Sequence, residues 1–157
     1  MANGLWLGLS LIVICISIHY EALRRIWNFL PRMHGDPRLR VVVVVLAATL
    51  AHFTEIGIYA LAYYGAEKFA AAGAFGGEIA GAFTGIWADY VYFSAVSYTT
   101  LGYGDIVPTG AMRLMAASES FVGLLTITWS ASFTYLTMER FWPLHATHHH
   151  PGKRGRG

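Results

Sequence analysis

Three apolar stretches, Gly4 to Tyr20, Leu39 to Tyr64 and Met112 to Met138, dominate the chain. Each approaches or exceeds the roughly 20 residues that a helix rising about 1.5 Å per residue needs to cross the hydrocarbon core of a bilayer. That feature leaves few options, because lipid offers no partner to a backbone amide or carbonyl and admits only helices or closed barrels as spanning elements. Composition points the same way: 55% hydrophobic residues, 13% charged residues and a mean hydropathy of +0.46 leave too little polar surface to coat a soluble globule. A single cysteine excludes a disulfide framework and a cysteine zinc site, and a net charge of +2 gives no footprint for nucleic acid.

The first stretch is not a secretory signal. No Lys or Arg precedes it, Arg24 and Arg25 follow it, and its end at Ile18, His19 and Tyr20 lacks a small-residue cleavage pattern. Arg24, Arg25, Arg32, Arg38 and Arg40 fill the first connection, and Arg140, Lys153, Arg154 and Arg156 follow the third stretch. Three spans place both groups on one side, which the positive-inside bias makes cytoplasmic, with the N-terminus outside. The region between the second and third spans holds Lys68 and no other cation before Ala111, against Glu67, Glu78, Asp89 and Asp105, as an outer face requires. Its Ala/Gly-rich start, Gly65 to Gly85, reads as a flexible turret or a short interfacial helix. Pro31, Gly35, Asp36 and Pro37 break the first connection, with Asp36 and Pro37 starting the second span.

Trp87 to Tyr98 is apolar and aromatic but too short to cross, and it runs directly into Thr99, Thr100, Leu101, Gly102, Tyr103, Gly104 and Asp105. Such a segment dips in and returns. Non-helical backbone at that depth is tolerated where it is buried in protein or lines a watery path. Gly102 and Gly104 at alternate positions permit backbone angles that turn successive carbonyls in one direction.

This run resembles the signature of tetrameric potassium channels, with Leu101 in place of the usual Val or Ile, and the resemblance extends over the pore module from about Leu39 to Met138. It implies a homotetramer in which the carbonyls of Thr100, Leu101, Gly102 and Tyr103, the Thr100 hydroxyl and the closing Gly104 take the place of the water shell of K⁺. Carbonyl dipoles suit that task, since full counter-charges would hold the ion too tightly to release it. Tyr103 where nonselective relatives differ, and the absence of an acidic ring within the filter, favour potassium over calcium or mixed cations. Around the filter the resemblance implies support from Tyr92, Ser97, Thr99 and Asp105, with Tyr92 in reach of the Asp105 carboxylate. Val96 occupies a position where some bacterial channels carry a carboxylic acid, so no carboxyl pair is expected there.

Polar groups inside the spans are the remaining candidates. His52 and Glu55 share one helix face at i, i+3. They form a proton-sensitive brace, or partner another intramembrane group such as Glu119 or a pore-helix hydroxyl of the kind of Ser94 or Ser97, or make a satisfied structural hydrogen bond inside the bundle. With one His and one Glu and no further ligand in sight, a metal site is not expected, so no metal beyond K⁺ and no cofactor is implied. Glu119 either draws cations to the cavity or faces the pore helix, the latter being the preferred reading. Gly123 is a hinge by the resemblance, or a point of close helix packing. Thr126, Ser130, Thr134 and Thr137 recur at helical spacing as candidates for the cavity wall, while Thr128 and Ser132 lie on another face.

The expected architecture is an all-α membrane protein with three transmembrane helices, a re-entrant pore helix and a filter loop: an N-terminal helix and basic linker (1–38), the pore module (39–138) and a disordered His-rich and basic tail (139–157). The first helix is expected to pack peripherally against the second span, with Arg24, Arg25, Arg32 and Arg40 at anionic headgroups. No span repeats Arg or Lys every third residue, so a voltage sensor is not expected. The function read from the sequence is passive potassium conduction without an enzymatic step. The alternatives are a weakly selective cation pore and a non-conducting subunit that assembles with other channel proteins.

Overall fold

The computed structural model describes residues 2–71 and 77–141. Helix α1 (Ala2–Phe29) leads through a 3₁₀ turn (Leu30–Arg32) into α2 (Pro37–Ala71); strand β1 (Ile79–Gly81), helix α3 (Trp87–Tyr98), strand β2 (Ile106–Pro108) and helix α4 (Met112–Phe141) follow. Three helices are long and apolar enough to cross a membrane: Gly4–Arg32, Pro37–Lys68 and Met112–Phe141. The tail expected to be disordered lies outside the described residues beyond Phe141.

The first two helices outrun their apolar stretches. Past Tyr20, Glu21 accepts from Arg24 at 2.8 Å and Arg25 at 2.7 Å, pairs at i+3 and i+4 that suit a continuing helix. Past Tyr64, Ala66 is buried and Glu67 accepts the Tyr90 hydroxyl, so the start of the supposed turret is the last turns of α2. Further on, the turret contributes β1, which pairs antiparallel with β2 through Ile79↔Pro108, Ala80↔Val107 and Gly81↔Ile106. This small ladder is added to the expected helices. It ties the α2–α3 connection to the chain that follows Asp105.

The core joins Leu11 and Cys15 of α1, Tyr59 and Tyr63 of α2, Tyr90, Phe93 and Tyr98 of α3, and Met112, Met115 and Val122 of α4. Between membrane helices the hydrophobic effect adds little, so close packing and polar contacts must hold them. Gly4 and Gly8 supply the closeness: a Cβ on Gly4 would lie 2.3 Å from the Ala111 carbonyl oxygen, and one on Gly8 would lie 2.8 Å from the Ser118 hydroxyl. The position expected for α1 is therefore corrected. It packs against both α2 and α4, and more extensively against α4, because this small-residue face admits the α4 backbone.

Arg40 is also placed differently from its expected headgroup position. It is half-buried, donates to the Met33 carbonyl at 2.8 Å and lies 4.9 Å over the Phe141 ring, so it braces the linker against the end of α4. Arg24, Arg25 and Arg32 remain exposed.

Candidate functional site

Helix α3 is held at both ends. At its start Asp89 accepts from the Thr84 amide (2.7 Å), the Thr84 hydroxyl (2.6 Å) and the Gly85 amide (3.1 Å), folding the lead-in turn onto the first helical turn. These bonds, the Thr84 hydroxyl first, hold the half-buried Asp89 carboxyl below its ordinary pKa. At its end the Thr99 amide and hydroxyl both reach the Ala95 carbonyl, at 3.1 and 2.7 Å.

Beyond Thr99 the backbone alternates. Thr100 (φ 59°), Gly102 (φ 51°) and Gly104 (φ 81°) take positive φ, and Leu101 and Tyr103 between them do not. Thr100 is the one non-glycine with positive φ among the described residues, a costly conformation for a β-branched side chain. The amides turn back to the helix: Thr100 donates to Ser97 at 3.0 Å, and Leu101 and Gly102 both donate to Val96 at 2.9 and 3.1 Å. Among the described residues no donor reaches the carbonyls of Thr100 to Gly104. The segment thus has its first three amides, those of Thr100 to Gly102, satisfied and its carbonyls free, with Leu101 and Tyr103 exposed. A hollow beside it is lined by Phe93, Val96, Ala116 and Ser120 among others.

The supporting residues converge on this run. The Tyr92 hydroxyl donates to Asp105 at 2.9 Å, and the Asp105 carbonyl accepts the Ala82 amide at 2.8 Å. Ser97 contributes its carbonyl, which accepts the Ser120 hydroxyl of α4 at 2.9 Å. Gly81 (φ 95°) must be glycine, since a Cβ there would lie 2.2 Å from the Asp105 carbonyl oxygen.

Two buried carboxylates stand behind the pore helix. Glu119 accepts the Tyr63 hydroxyl at 2.6 Å and the Ser94 hydroxyl, so it faces α2 and α3 from within the chain. Glu55 meets a pore-helix hydroxyl, that of Tyr98 rather than Ser94 or Ser97, and not Glu119; its other partners are His19 Nδ1 at 2.9 Å and His52 Nδ1 at 3.6 Å. Tyr98 also meets His52 Nδ1 at 2.8 Å and the Thr126 hydroxyl at 2.6 Å. Ser130 contacts His19 Nε2 at 3.1 Å, which the neutral tautomer donating Nδ1–H to Glu55 leaves as an acceptor.

The α4 stripe is corrected accordingly. Thr126 and Ser130 are buried against α3 and α1 of their own chain because Tyr98 and His19 need their hydroxyls; Thr134 is half-buried, its hydroxyl returned to the Ser130 carbonyl at 2.8 Å. The exposed hydroxyls are Thr128 and Ser132, on the other face. Gly123 is a packing point: a Cβ there would lie 1.9 Å from the Tyr98 carbonyl oxygen. His19, Tyr63 and Tyr98 were not singled out in the sequence. The usable signal for His19 was an ionisable side chain near the end of a span, overshadowed by the basic residues that follow.

Forty-eight residues of the chain are 44% identical to an uncharacterized membrane protein, YdjJ, of Bacillus subtilis (strain 168), covering 30% of this chain and 14% of that protein. The chain therefore spans a small part of that relative's length. No solved structure matches. The ion channel family profile matches residues 41–140, from the start of α2 nearly to the end of α4, and so takes in the re-entrant helix, the alternating loop and both carboxylates. That match covers more than half of the chain, and the chain belongs to the ion channel family.

Proposed function

We propose that four copies of this chain surround one axis and form a potassium-selective channel, with the carbonyls of Thr100, Leu101, Gly102 and Tyr103, the Thr100 hydroxyl and Gly104 as the filter. The observation that carries this reading is the alternation of positive φ at Thr100, Gly102 and Gly104 with every amide of 100–102 turned back to α3. It leaves a column of unpaired carbonyls, which one chain cannot close around an ion. A dehydrated monovalent cation needs many such dipoles and no full counter-charge. Exposed Tyr103 (69%) and Leu101 (54%) beside the open hollow fit coverage by a neighbouring copy. Thr128 and Ser132 of α4 are the candidates for the cavity wall. The basic residues on the α1–α2 linker and after α4 put the C-terminus in the cytoplasm and the N-terminus outside, with Arg24, Arg25 and Arg32 at lipid headgroups.

The test is reconstitution of the purified chain into planar bilayers or liposomes under K⁺/Na⁺ bi-ionic conditions. A reversal potential displaced strongly toward that of K⁺ is expected. Reversal near zero defeats selectivity and leaves a mixed-cation pore, and a chain that inserts without passing current is a non-conducting subunit.

A further inference from the structure

The sequence offers one His and one Glu in the second span, too few to hold a metal ion. Folding brings a third donor. His19 of α1 and His52 and Glu55 of α2 each present a ligand atom, all within 4.8 Å of one another, with His19 and Glu55 fully buried and His52 partly so.

Bonds of about 2.0–2.1 Å to a tetrahedral Zn²⁺ set neighbouring ligand atoms about 3.3 Å apart. The His19 Nδ1 to Glu55 Oε1 separation of 2.9 Å and the His52 Nδ1 to Glu55 Oε2 separation of 3.6 Å bracket that spacing. The two imidazole centroids lie 5.0 Å apart. The outer contacts of a metal site are also in place. Ser130 engages the far nitrogen of His19, at 3.1 Å, which is how a ligating imidazole is oriented. The Tyr98 hydroxyl, 2.8 Å from His52 Nδ1, also bonds Glu55 and Thr126, so it contacts two of the three ligand residues. His52, with 18% of its side chain exposed, is the side from which an ion can arrive.

We propose that His19, His52 and Glu55 form an intramembrane binding site for a divalent transition metal of the Zn²⁺ class. Two imidazoles and one carboxylate suit Zn²⁺ or Co²⁺ better than the oxygen-seeking Mg²⁺ or Ca²⁺. Ligation through Nδ1 moves the ring proton of His19 to Nε2, where the Ser130 hydroxyl oxygen accepts it, so the imidazole binds the ion in its neutral form. The bound ion joins α1 to α2 at the point where Tyr98, the last residue of α3, meets His52 and Glu55 of α2, one residue before the filter run.

The experiment uses the full chain with His145, His148, His149 and His150 replaced by Ala, so that the His-rich tail cannot supply a competing site. Metal-free protein in detergent is titrated with Co²⁺ and then with Zn²⁺ against a chromophoric chelator. The expected result is one ion per chain with the visible d–d bands of tetrahedral Co²⁺. His19→Gln should abolish those bands, and Ser130→Ala, which leaves all three ligands in place, should weaken Zn²⁺ binding by about 10- to 100-fold. Absence of tetrahedral bands in the tail-substituted chain overturns the proposal, as does their survival in His19→Gln. If His19→Gln fails to assemble, unchanged bands and affinity in both Ser130→Ala and His52→Gln overturn it equally.

Discussion

Gly123 and the carbonyl of Tyr98 sit so close that no Cβ fits between them. Replacing Gly123 by Ala must push α4 off the end of the pore helix, where the obstruction is backbone and cannot swing aside. Overpacking of this kind costs about 1–3 kcal/mol, so Gly123→Ala should lower the melting temperature of the solubilised channel, and Gly123→Val more so. An unchanged melting temperature would mean that the contact is absent from the assembled protein. The same carbonyl neighbourhood explains why Thr126, one turn on, is occupied with the Tyr98 hydroxyl. Just past the proposed filter, Tyr92→Phe removes the hydroxyl that holds Asp105 at 2.9 Å. Under sustained activation the current carried by the variant should decay faster than in wild type; equal decay would show that Asp105 is held by other means.

The pore helix depends on its lead-in turn as much as on its own residues. Three bonds from Thr84 and Gly85 converge on Asp89, and they favour the ionised carboxylate. Because the folded-state pKa is depressed, this contribution is fully present above the ordinary carboxylate value of about 3.9 and fades as pH falls through the lower folded value. Asp89→Asn should therefore be less heat-stable than wild type at neutral pH, with the two converging only in strong acid. A difference independent of pH would remove the carboxylate from the account. The elements themselves were largely legible in the sequence: three spans and a half-crossing helix follow from apolar length, and the run after it from its resemblance, although α1 and α2 extend past their apolar stretches. What the sequence hid was rotation and partnership. Period alone gives two hydroxyl stripes on α4 and no way to choose, because the choice is made by Tyr98 and His19, distant in the chain. The β1–β2 ladder was hidden for a similar reason, since strands this short carry no period, and Gly81 is needed only because Asp105 passes against it.

For the whole molecule, the rotation of α4 makes a direct test of assembly. Cysteines at Thr128 and Ser132, in a background where the buried Cys15 is replaced, should react with a water-soluble thiol reagent applied from the cytoplasmic side and should reduce the current. Cysteines at Thr126 and Ser130 should stay protected. Reaction at the second pair would place the cavity on the face turned toward α1. Crosslinking of the solubilised chain should yield a ladder ending at four copies. One further consequence comes from the seating of α1 through Gly4 and Gly8. With α1 packed directly on α4, a change in bilayer thickness that tilts the first helix would act on α4 as well.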